Sequence, residues 1–293
     1  MRESVLRTLE IATTKALVIE CTVPKPGNVS RYIDFPAQSF EHFLISAIEI
    51  GNTLPGLCAR HALGRAVLHA TKRMLNAQHS GNTHLGSIIL LAPMLRSAYK
   101  KNGKLQFEHV SAEIEKCDWR DTLDYIKAIK LTDVERLPDI DGKMNVKSGT
   151  VGHVVSAHRI SLIDWMRAGV PVNALCYEYV HGYKLTQEIA GIIRANWEKG
   201  IEPAVQHAFL YALSRYVDNL VIGKRGTGYA EALKARAEEL FEEECAFASA
   251  GSMKRRKLEN LSSELVSEGV NPGTTADLIV GALFTVFIDG WTF

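Results

Sequence analysis

Apolar residues recur every three to four positions along almost the whole chain, and that period constrains it to fold as packed helices. Phe40, Phe43, Leu44, Ala47 and Ile48 follow the i, i+3, i+4, i+7, i+8 spacing of one helix face, with Ser39 placed before them as an N-cap. The same spacing marks stretches at roughly 3–22, 57–78, 84–100, 111–130, 151–168, 173–199, 202–221, 228–248, 252–268 and 275–288. Alternating apolar–polar runs and hairpin turns are scarce. The expected fold is all-α, a single domain over residues 1–293 with about eleven helices and little or no sheet. No low-complexity linker divides the chain. The candidate breaks, Leu131–Gly152 and Gly223–Gly228, read as loops within that domain, and the first is long enough to be functional.

Charge narrows the partners. Lys and Arg number 34 against 33 Asp and Glu, a net charge of +1. A dedicated nucleic-acid binder would need a basic excess. No membrane partner is expected either, because the longest apolar run, Leu278–Ile288, is too short to span a bilayer and reads as a buried helix. Glu3, Glu10 and Glu20 interrupt the first apolar stretch, which is unlike a secretory signal. Cys21, Cys58, Cys117, Cys176 and Cys245 are scattered with no close pair. That spacing points away from disulfides and cysteine-held zinc, and towards a reducing cytoplasm. Phosphate-binding Walker, dinucleotide-binding, zinc-protease and nucleophile-elbow motifs are all missing from the sequence.

Four segments hold more Gly, Pro, Asn and charge than a helix connection needs. Glu20 to Asn28, followed by Arg31 and Asp34, forms a stiff Pro/Gly turn that would gather Glu20, Lys25, Gly27, Asn28, Arg31 and Asp34. His79 to Gly86 opens an apolar helix with Asn82 and Thr83, small polar residues that cap a helix or leave its N–H groups for an anion. His79 and His84 could act there as ligands or acids, although a lone loop histidine is more often neither. Asn271 to Asp277 opens the last helix with Gly273, Thr274 and Thr275. Asp218 to Gly228 carries Lys224 and Arg225 between glycines, either as a phosphate clamp or as solvated surface. Carboxylates Glu20, Asp34, Asp218 and Asp277, together with phosphate oxygens, form the donor set that Mg²⁺ prefers. The residues therefore point to an enzyme acting on a phosphorylated small molecule.

PKPGNVSRYIDF after Glu20, GNTHLGSIILLAPM, and NPGTTADL resemble the triphosphoribosyl-dephospho-CoA synthase family. The helix Asp121 to Ile129, the segment Asn173 to Tyr179, and Lys224-Arg225-Gly226 echo further family motifs in the same order. The resemblance implies an all-α transferase that uses ATP and dephospho-CoA. The 2′-hydroxyl of dephospho-CoA would displace adenine from C1′ of the ATP ribose, with Mg²⁺ on the triphosphate. It implies Glu20, Asp34 and Asp277 at the metal or reaction centre, with the base unassigned among them. Lys25, Asn28, Asn82, Thr274 and Thr275 would hold phosphate or ribose. A homodimer is among the expected states.

Two positions depart from the family pattern. A Gly-rich P-G-G-L stretch is replaced by Lys130 to Pro138, and Asn173 stands where an aspartate is expected. Such changes could retune metal binding or mark a different acceptor alcohol. Two alternatives accompany the main reading: ribosyl transfer from ATP to another acceptor, and a non-catalytic nucleotide-binding protein.

Overall fold

Two stretches are apolar on every side, and a helix of that kind has to lie inside the molecule. In the computed structural model, which describes residues 2–140, 142–246 and 251–292, both do. The first half of the chain forms α1 (Arg2–Thr22), α2 (Phe40–Arg60), α3 (Leu63–Gln78), α4 (Leu85–Lys100), α5 (Phe107–Glu115), α6 (Trp119–Lys130) and α7 (Val151–His158). The second half forms α8 (Leu162–Gly169), α9 (Ala174–Val180), α10 (Lys184–Ala195), α11 (Ile201–Arg215), α12 (Asn219–Arg225), α13 (Thr227–Ala246), α14 (Gly251–Ser267) and α15 (Gly273–Ile288). The interior helices are α4, buried throughout Ser87–Leu95, and α15, buried throughout Leu278–Phe287. They meet where Gly281 lies against Leu90; a methyl group on that glycine would come within 2.6 Å of Leu90 Cδ2. Around this pair, α1, α10 and α11 pack on α15, while α2, α3 and α5 pack on α4.

The described residues hold fifteen α-helices rather than about eleven, because four of the expected stretches are each broken in two. Three of the breaks fall at a capping residue inside a continuous apolar pattern, and the fourth at a left-handed turn. Asp118 accepts from Arg120 N at 2.7 Å and starts α6; Ser161 Oγ accepts from Asp164 N at 3.3 Å and starts α8. Gly182 and Tyr183 take φ of +66° and +62° between α9 and α10. Asp218 accepts from Leu220 N at 2.9 Å and starts α12. Apolar periodicity survives these breaks because both fragments cover the same core, whereas the side-chain acceptor decides where the backbone restarts.

Other expectations are corrected in detail. The Gly223–Gly228 segment is no loop, since only Gly226, at φ +83°, separates α12 from α13. The stripe read on α2 is rotated: Ala47, Ile50, Leu54 and Cys58 are buried, while Ile48 is 46% exposed. Both α1 and α3 pack on α2 and select that face. Ser39 does stand at the N-cap of α2. Among the described residues there is no strand, only the isolated bridges Ser30–Ile33 and Phe35–Gln38. No helix is long and apolar enough to cross a membrane among those residues. Cys21, Cys58, Cys117 and Cys176 are buried free thiols; the Cys245 side chain lies outside the described set.

Pro93 sits in the middle of α4 and has no N–H to give to the carbonyl of Ile89. The Tyr179 hydroxyl donates to that carbonyl at 2.6 Å, and Tyr183 donates to the next one, Leu90 O, at 2.9 Å. Both phenols are buried, so solvent cannot take their place. Tyr179→Phe should therefore destabilise the fold by about 1–3 kcal/mol, the cost of a buried acceptor left unpaired. Urea unfolding with an unchanged m-value would measure it.

Candidate active site

Two glycines allow three of the four segments to meet. Gly27 adopts φ +73°, and a side chain there would come within 2.7 Å of Val270 O. Its neighbour Asn28 donates through Nδ2 to Asn271 Oδ1 at 2.6 Å and reaches Pro272 O at 3.4 Å. The turn after α1 is thereby fixed to the start of α15. One turn into α15, Asp277 reaches across to the start of α4. Ser87 Oγ donates to Asp277 Oδ1 at 2.6 Å, and a methyl group at Gly86 would sit 1.9 Å from Oδ2. The Gly-rich segments before α4 and α15 are thus joined through one carboxylate.

That carboxylate has an unusual environment. Burial pushes the Asp277 pKa up to about 8, opposed by the Ser87 hydrogen bond and reinforced by the charges of Glu20 and Asp218. Glu20, at the end of α1, is buried and pairs through Oε1 with Lys25 Nζ at 3.0 Å. Lys25 is fully buried as well, and its ammonium also donates to Glu20 O and to Val23 O. It therefore complements the negative end of α1 while holding Glu20. His84, at the N-cap of α4, is kept neutral: burial, with Lys25 nearby, lowers its pKa to about 3. Its Nδ1 lies 2.8 Å from Ser46 Oγ. Two buried polar atoms of this region, His84 Nε2 and Asn28 Oδ1, have no hydrogen-bond partner among the described residues. Buried polar atoms without partners are few in native proteins, and two at one site mark a place for polar ligand groups.

Several expected site residues have other work. Asp34 is exposed and accepts from Phe40 N at 2.8 Å, tying the loop to the start of α2. Asp218 caps α12 and also accepts from Thr275 N at 2.7 Å and Thr275 Oγ1 at 2.8 Å. Its oxygens are occupied by helix starts, which leaves it unsuited to a metal. Asn82 caps α4, its Oδ1 accepting from Leu85 N at 2.9 Å, and Thr83 Oγ1 contacts Ser46 Oγ at 2.8 Å. Arg31 pairs with Glu202 at 2.8 Å and stacks on Tyr32. Lys224 donates to Gly269 O, and Arg225 pairs with Glu268 at 3.3 Å, so both engage the turn after α14. Thr274 and Thr275 are buried at the start of α15, and Gly273 N donates to Asn271 O at 2.8 Å. The anions met by these helix starts are the protein's own carboxylates. Among the described residues, no three His, Cys, Asp or Glu groups gather as a ready-made metal site, so the four-carboxylate set is not assembled.

Asn173 has a local explanation. Its Oδ1 accepts from Leu175 N at 2.9 Å and Cys176 N at 3.3 Å at the start of α9. Asparagine caps a helix about as well as aspartate, so this departure is met within the fold. Sequence reasoning missed Ser87 as the partner of Asp277; its place three residues into a Gly-rich helix start was the available signal. It also gave too little weight to His84.

The raised pKa of Asp277 makes a signed prediction. In the unfolded chain the carboxyl has its ordinary value of 3.8, against about 8 in the fold. The folded state therefore holds this proton more tightly. The resulting stability is complete below the lower value and is lost as pH rises to the upper one. Without divalent ions, wild-type stability should fall relative to Asp277→Asn between about pH 4 and pH 8, read as urea midpoints. A constant offset between the two proteins across that range would remove the raised pKa.

The chain matches the family model described as ATP:dephospho-CoA triphosphoribosyl transferase (CitG) over residues 6–292. It is also similar to a crystal structure described as a triphosphoribosyl-dephospho-CoA synthase from Archaeoglobus fulgidus, with 26% identity and a TM-score of 0.67. That likeness covers 85% of this chain and 100% of the other. No curated relative matches the sequence.

Proposed function

The chain belongs to the ATP:dephospho-CoA triphosphoribosyl transferase family, and from that premise we propose how its own residues carry the reaction. It is an enzyme, a transferase that moves the triphosphoribosyl group of ATP to dephospho-CoA. In the proposed step, the 2′-hydroxyl oxygen of dephospho-CoA forms a bond to C1′ of the ATP ribose as the C1′–N9 bond to adenine breaks. The hydroxyl proton passes to Asp277. Adenine leaves with the bonding pair and is protonated from solvent.

One observation carries this assignment of the base. Asp277 is the carboxylate whose pKa is lifted to about 8 while it faces a second acidic group, Glu20. A base poised near the working pH is the efficient one. Glu20 and Asp277 would also face the positive charge that develops at C1′, as carboxylates do in glycosyl transfer. Lys25 holds Glu20 in place through the 3.0 Å ion pair. Asn28 Oδ1 and His84 Nε2 are offered to polar groups of the substrates.

A magnesium ion fits this set through Glu20. Mg²⁺ is commonly held by one or two carboxylates with substrate phosphates completing its shell, and needs no all-protein cage. Like charges on Glu20 and Asp277 also favour a cation between substrate and protein. When bound, the ion would neutralise charge on the triphosphate.

The test is adenine formed per turnover from ATP and dephospho-CoA at saturating Mg²⁺, with circular dichroism as the fold control. Asp277→Asn and Glu20→Gln should each lower it by about a hundredfold or more. Near-wild-type turnover by Asp277→Asn would remove it as the base. An alternative in which Asp277 only caps α4 gives that outcome, since Asn retains an oxygen for Ser87.

A further inference from the structure

A cleft of about 610 Å³ opens on the other side of the turn after α1, between that turn, the start of α11 and the outer face of α14. Lys25 lines it, and its side chain pairs with Glu20 at 3.0 Å, so this residue connects the cleft to one of the two carboxylates. Most of its wall is apolar, built from Pro26, Tyr32, Ile33, Pro203 and Val266. Its volume falls in the range of about 300–1,000 Å³ that encloses a whole drug-sized ligand, and it exceeds what a lone purine ring fills.

Its charge says what it will not take. Glu202 and Glu259 line the cleft, and among the described residues its one lining cation is Lys25, whose ammonium is committed to Glu20 and two carbonyls. Arg31 stands near the rim but pairs with Glu202 at 2.8 Å. Among the described residues a triphosphate would meet no uncommitted cation there, so the polyphosphate end of either substrate is a poor occupant. The lining does offer hydrogen bonds. Ser262 Oγ is buried in it without a partner among the described residues.

We propose that this cleft receives the pantetheine arm of dephospho-CoA, an uncharged chain of methyl, methylene and amide groups ending in a thiol. The proposal rests on the transferase reading above and adds where the acceptor is recognised. Apolar walls suit the methyl and methylene groups, and the Ser262 hydroxyl suits an amide. Recognition of the acceptor is then separate from that of ATP, with the turn carrying Lys25 as the wall between them.

Ser263 is an exposed residue of α14 that lines the cleft, so Ser263→Trp fills the space without entering the core. The assay is adenine release at saturating ATP with two acceptors: dephospho-CoA, and ADP, which is the same molecule without the arm. In Ser263→Trp the KM for dephospho-CoA should rise by roughly tenfold or more, while the KM for ATP and the slower reaction with ADP stay within about twofold of wild type. If the tryptophan variant does not fold, Ser263→Leu carries the same expectation. An unchanged KM for dephospho-CoA overturns the proposal, and a rise in the KM for ATP instead assigns the cleft to ATP and overturns it too. The wild-type reaction reports on the transferase reading by itself: no adenine release on adding dephospho-CoA would count against that reading, whatever the variant does.

Discussion

Acidic side chains placed at the N-termini of other helices hold this bundle together. Asp34 reaches Phe40 N at the start of α2, and Asp121 accepts from Gly64 N at the start of α3 at 2.7 Å. Asp277 binds Ser87 in the first turn of α4. Glu178 accepts from Leu185 N at 2.9 Å and Thr186 N at 2.8 Å at the start of α10. Asp218 serves α12 and α15 together. A fold of many short helices creates many N-terminal N–H groups without helical partners, and those ends that lie inside must be satisfied there. A carboxylate does this with charge-assisted hydrogen bonds and favourable interaction with the helix dipole. Asp121, Asp277 and, through Thr275, Asp218 come from elements distant in sequence, so those bonds also fix one helix against another.

The reaction centre is a variation on this device. Burial raises the pKa of Glu178, to about 7, and of Asp218, yet both have their oxygens saturated by helix starts. Asp277 has the same kind of partner in Ser87, but it also feels the charge of Glu20. Two buried acids facing one another cost stability. That arrangement suits chemistry at a developing positive centre, where the same charges become favourable. All of these acids bind helix ends, and Asp277 differs in lying beside Glu20 in the region of the unpartnered polar atoms of Asn28 and His84.

The fold class was legible because apolar period is a direct record of burial. α1, α4, α14 and α15 end within about two residues of the positions read from that period. The four breaks were not read, three of them because Asp118, Ser161 and Asp218 cap helices whose apolar stripes continue on the far side. At the candidate site, the meeting of the three Gly-rich segments was expected from their composition. The partners were not. Nothing local shows that Lys25 turns back onto Glu20, that Asp218 serves Thr275 from 57 residues away, or that Lys224 closes a turn near Gly269. Such pairings are set by tertiary packing, and composition records only that polar groups are available.

The motif residues divide accordingly. Asp34, Asp121, Asn173, Glu178 and Asp218 lie in segments that resemble the family or adjoin them, and each has a capping role that would suffice to retain it. A motif match thus reports constraints of folding as readily as those of catalysis. What a helix cap alone does not explain is a buried polar atom without a partner or a buried acid beside another acid. Glu20, Asn28, His84 and Asp277 meet those criteria, and all four lie where α1, α4 and α15 come together. Their position follows from the packing of α15 against α1 and α4 and from the glycines at 27 and 86 that let the segments touch. The same contacts that bring the interior helices together therefore also set the geometry in which an acceptor hydroxyl and a ribose carbon could meet.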